Sequence, residues 1–135
     1  MAAYHTAGQA GRAGRAPYPW AEHLDALKAK DAEGLLAETA AAVEARDQAR
    51  ACAAVQRYGE LGGPPRPVFD LLLRYAVSED GALHAEKYYR TVTEEFAATR
   101  PAFRWRQLVA LARVTASEYG FPAPGYADAC RILKV

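Results

Sequence analysis

The stretch from Pro64 to Phe96, PPRPVFDLLLRYAVSEDGALHAEKYYRTVTEEF, decides the fold class. Between Val68 and Val77 every residue is apolar or aromatic except Asp70 and Arg74, which stand four apart and share one narrow stripe of a helix. A helix apolar nearly all round has to be enclosed by other helices. The stretch therefore reads as a central helix over about Pro67 to Val77. Pro64, Pro65 and Pro67 open it, the turn around Ser78, Asp80 and Gly81 ends it, and the helix that follows is its closest partner.

On the N-terminal side, Pro19 is placed to start a helix in which Trp20, Leu24 and Leu27 recur at i, i+4 and i+7, ending near Lys30. Asp31 caps a second helix, with Leu35, Leu36, Thr39, Ala40 and Val43 on one face and Glu33, Glu38 and Glu44 elsewhere. Asp47 caps a third, with Ala51, Cys52, Val55 and Tyr58 inward and Gln48, Arg50 and Arg57 outward, before Gly59, Gly62 and Gly63 stop it.

On the C-terminal side, a helix from about Ala82 to Thr99 presents Ala85, Tyr88, Tyr89, Val92 and Phe96 inward and pairs Glu86 with Arg90 on its wet face. Thr99 and Pro101 open the longest helix, which runs to Tyr119 on a stripe of Trp105, Leu108, Val109, Ala112, Ala116 and Tyr119, broadened by Phe103. After the loop Phe121-Pro-Ala-Pro-Gly125, a short helix from Tyr126 to about Leu133 is expected to bury Ile132 and Leu133.

No segment alternates with β-branched enrichment, so a sheet is not expected. The segments around Asp47 and Tyr58 are similar to a helix-turn-helix repeat of tetratricopeptide type, which implies helices packed as antiparallel hairpins. The pattern does not return at the roughly thirty-four-residue interval of that repeat. The expected architecture is all-α, a compact bundle of six to seven short antiparallel helices, orthogonal or solenoid-like. It spans residues 18–135 as a single domain behind a flexible arm over residues 1–17, whose glycine, alanine and two arginines offer little to bury.

Composition narrows the function classes. Seventeen basic and sixteen acidic residues leave no global field to draw nucleic acid or an anionic membrane. Cys52 and Cys130 lie far apart and outside any Cys-x-x-Cys pair, which suits small core residues of a reduced, cytoplasmic protein. No apolar run is long enough for a membrane span.

Neither serine, Ser78 or Ser117, sits in a nucleophile elbow, and the glycines form no phosphate-binding loop. No Glu-x-x-His pair is present, so no metal and no cofactor is expected. The Arg100 to Arg106 segment alternates aromatic and basic residues, but on a helix Phe103 and Trp105 point about 200° apart and cannot form one stacking platform. Arginines there are expected to cover the core or pair with Glu94 and Glu95. Nucleic acid is the least favoured partner.

The chemistry-bearing residues that merit testing surround His84. Asp80, four residues earlier, is placed to orient its imidazole, and Tyr88 completes the catalytic candidates. Tyr75, Tyr89 and Glu86 are the ligand-binding candidates, because tyrosines on adjacent helices either satisfy their hydroxyls in the core or line a pocket. The preferred reading is a non-catalytic helical module for protein interaction or self-association. The alternative is the terminal helical part of a larger enzyme, an oxidoreductase among the choices, or a ligand-binding domain, with a site near His84.

Overall fold

Alanine decides where the helices approach most closely. The computed structural model describes residues 18–78, 83–121 and 125–134, with the side chains of Leu83 and Tyr126 set aside. Among the described residues there are seven helices and no strand: α1 Ala21–Asp25, α2 Ala32–Glu44, α3 Gln48–Glu60, α4 Pro65–Ala76, α5 Leu83–Ala98, α6 Pro101–Glu118 and α7 Tyr126–Leu133. The all-helical bundle is as expected. The expected arm over residues 1–17 and the Asp80–Gly81 part of the turn lie outside the described residues.

The middle of the bundle is α3. Ala51, Cys52, Ala53, Ala54 and Val55 are buried in succession, with Tyr58 one turn later. Five consecutive buried residues require neighbours on more than one side of a helix. The methyl side chains at positions 51, 53 and 54 let them come close.

The long α6 runs antiparallel along α3. Trp105 Nε1 donates to the Val55 carbonyl at 2.9 Å, Cys52 Sγ lies 3.4 Å from the Val109 carbonyl, and Arg113 Nε donates to Gln48 Oε1 at 3.2 Å. Rising numbers on one helix thus meet falling numbers on the other. From α6 the core receives Leu108, Val109, Leu111, Ala112, Thr115 and Ala116, and from α2 it receives Leu35, Thr39, Ala42 and Val43. The caps form as the sequence reading expects: Gly34 N–H donates to Asp31 Oδ1 at 2.8 Å and Arg50 N–H to Asp47 Oδ1 at 3.0 Å.

The helix expected at the centre, about Pro67 to Val77, forms as α4 but sits on the flank. Val68, Leu71, Leu72 and Ala76 are buried, whereas Leu73 is 37% and Val77 66% exposed. Arg66, Asp70, Leu73 and Val77 recur at i, i+4, i+7 and i+11 and make one outward stripe, along which Arg66 Nε pairs with Asp70 at 2.7 Å. Two apolar residues on that stripe make the helix look enclosed when it is not.

Three further expectations are corrected. Ile132 and Leu133 on α7 are not buried but 74% and 69% exposed. Phe103, expected to broaden the α6 stripe, is 56% exposed. Glu38, expected to face away from the core, is buried: it accepts from the Ala29 N–H and from Arg50 Nε, both at 2.9 Å. These bonds tie the segment before α2 and the first turn of α3 to one carboxylate.

On the α5 side of α4, the Phe69 ring meets Tyr89 and Phe96 edge-on, at 6.0 and 5.2 Å between centroids. Arg104 lies over Phe96 and reaches the Ala97 and Thr99 carbonyls at the end of α5. It therefore caps a helix rather than pairing with Glu94, which Arg90 binds instead at 3.1 Å. No helix among the described residues is long and apolar enough to cross a membrane.

Candidate functional site

Among the described residues, the candidates around His84 do not form one enclosed cluster. On α5, His84 and Glu86 are exposed and Tyr88 is 38% exposed, while Asp80 lies outside the described residues. Tyr89 is half-buried and packs on Phe69. Tyr75 is engaged elsewhere, because it stands about 120° around α4 from Phe69. One side of α4 therefore serves α5 and another serves α2, and the two tyrosines occupy different neighbourhoods. Among the described residues no three of His, Cys, Asp and Glu gather as metal ligands.

A groove of about 540 Å³ lies between α2 and α4. Each helix contributes one stripe. Glu33, Leu36, Ala37, Ala40 and Glu44 recur at i, i+3, i+4, i+7 and i+11 on α2, and Pro67, Asp70, Leu71, Arg74 and Tyr75 at i, i+3, i+4, i+7 and i+8 on α4. Leu36, Ala37, Ala40 and Leu71 supply apolar lining. Glu33, Glu44, Asp70 and Arg74 supply the polar lining; Asp70 is paired with Arg66, so Glu33 and Glu44 against Arg74 leave one net negative charge.

Tyr75 ties the two helices together across the groove. Its hydroxyl donates to Glu44 Oε1 at 3.0 Å and lies 3.4 Å from the Ala40 carbonyl, while its ring meets Tyr119 edge-on at 5.3 Å. Burial, then the hydrogen bond to Glu44 and the Glu44 charge, push its phenol up to about 12. At neutral pH it is a neutral donor that anchors α4 against α2. The sequence points to Tyr75 as a ligand-binding candidate and sets Glu44 off the inward face of α2. The sequence reading does not single out the five-residue stripe on α2, because only the arrival of α4 beside it makes a groove.

A second, smaller cleft of about 240 Å³ is lined by Tyr18, Cys52, Arg106, Val109, Ala110 and Arg113. Both arginines hold Tyr18: Arg106 Nη1 donates to its carbonyl at 3.0 Å and the Arg113 guanidinium lies 4.9 Å from its ring centroid. Burial outweighs the pull of both arginines and pushes the Cys52 thiol up to about 12. A thiol so placed is protonated near neutrality and is a packing group rather than a nucleophile.

Comparison with protein-family models, curated proteins and solved structures finds no match to this chain.

Proposed function

We propose that the chain is a protein-interaction module whose α2/α4 groove receives an apolar helical segment flanked by basic residues. The observation that carries this reading is the groove, apolar in its lining, with Glu33 and Glu44 along α2 outnumbering Arg74 on α4, where Asp70 is already paired with Arg66. Helix-in-groove recognition uses apolar anchors at helical spacing, and charges of opposite sign set orientation and partner choice. An enclosed catalytic constellation is not what such an open, tyrosine-braced trough supports. A reducing, cytoplasmic setting suits the two free cysteines.

Isotope-labelled protein titrated with a designed amphipathic helix tests the proposal. A peptide with a leucine stripe edged by lysine should move the amide resonances of Leu36, Ala37, Ala40 and Leu71, and the same stripe edged by glutamate should not. Added salt should weaken the response. Ala37 is exposed, so Ala37→Arg leaves the core untouched while filling the trough, and should abolish the shifts. Equal responses to both peptides, or shifts that survive Ala37→Arg, rule the groove out.

A further inference from the structure

We infer that the segment this groove receives is α7 of a second copy of the chain, an inference that rests on the groove reading above. Helix α7 is amphipathic and uncovered. Ala129, Ile132 and Leu133 fall on one arc, with Asp128 at one margin beside Ile132 and Cys130 at the other, and Arg131 falls on the far side. The first three are exposed, with Ile132 at 74% and Leu133 at 69%, and only Cys130 is half-buried. Two adjacent large aliphatic side chains left in water on a formed helix mark a surface that gains by being covered.

Charge points to the same pairing. Within α7 Arg131 pairs with Asp128 at 2.6 Å and the two cancel, so Lys134 at its C-terminal end leaves one positive charge, against a groove that keeps one net negative charge once Arg66, paired with Asp70, is counted. Lengths agree as well. Eight helical residues span about 12 Å, and the α2 stripe from Glu33 to Glu44 spans about 16 Å, at 1.5 Å per residue.

In this structure α7 does not lie in the groove of its own chain, since Ile132 and Leu133 remain open. The donor and acceptor surfaces are different patches of one molecule, so the contact is head-to-tail unless two copies exchange helices reciprocally. One short helix covers little area, so the association is expected to be weak and reversible.

Sedimentation equilibrium of the full chain at rising concentration tests the inference. The average mass should climb from one copy toward two or more, and added salt should lower it. Ile132→Asp with Leu133→Asp changes only exposed positions, and Ala37→Arg blocks only the trough, so each variant should keep its helical circular dichroism and remain monomeric. Mixed together, the α7 variant still offers a groove and the groove variant still offers α7, so an equimolar mixture should form a one-to-one pair that neither forms alone. A monomeric wild-type mass throughout overturns the inference, as does association lost in the α7 variant but kept in Ala37→Arg. If the lysine-edged peptide still shifts the groove in a monomeric protein, the groove reading survives and only the choice of partner falls.

Discussion

Trp105 lies against Gly59 so closely that a side chain there would overlap its indole, and the same indole N–H donates to the Val55 carbonyl one turn earlier. The glycine that reads in sequence as a helix-stop signal lies inside α3 and is where α6 docks. Gly59→Ala should destabilise the protein by about 1–3 kcal/mol through overpacking, even though alanine is the better helix former. Urea denaturation measures the loss. Combining it with Trp105→Leu should cost less than the sum of the two single changes, because the indole that creates the clash is gone. Strict additivity would mean that the docking contact is not what makes Gly59 necessary.

Glu38 makes stability depend on acid. Burial pushes its carboxyl up, but the hydrogen bonds from the Ala29 backbone, the Arg50 side chain and the Lys28 backbone outweigh that and hold it below the usual range. The folded state therefore binds its proton less readily than the unfolded chain. Its contribution is present above the unfolded carboxyl range and is lost as pH falls through the lower, folded value. Glu38→Gln should cost about 1–3 kcal/mol at neutral pH and flatten the acid limb of a stability-against-pH curve. An acid limb identical to that of the wild type would show that other carboxylates carry it.

At the alkaline end the sign reverses for Tyr75. Its phenol is pushed up to about 12 from an ordinary value of 10.0, so the unfolded chain ionises first and stability should fall as pH rises through that interval. Tyr75→Phe loses the bond to Glu44 and should cost about 0.5–1.5 kcal/mol below that interval. The variant should also lack the latest step in the phenolate absorbance titration. A titration with the late step still present would place the raised phenol elsewhere.

The two thiols should separate by accessibility. Cys52 is 1% exposed and its thiol is pushed up to about 12, whereas Cys130 is half-buried on α7. A disulfide-exchange reagent at mildly alkaline pH should modify Cys130 first and Cys52 only as fast as the core opens. In a Cys130→Ser variant the native protein should therefore resist labelling until denaturant is added. Rapid reaction of that variant in buffer would contradict the buried packing of Cys52 against Val109.

The sequence by itself determined what each helix can decide locally. Asp31 and Asp47 cap α2 and α3, Pro65 and Pro101 open α4 and α6, and the apolar spacing along α6 names most of its buried face. These features depend on hydrogen bonds and side-chain directions within a turn or two. Only the tertiary structure decided which helix lies at the centre, that Glu38 turns inward, that Ile132 stays in water, and that Tyr75 and Tyr89 part company around α4. Burial is a property of the neighbour that arrives, and alanine, which crowds α3, suits a wet surface or a close contact equally well until that neighbour is in place.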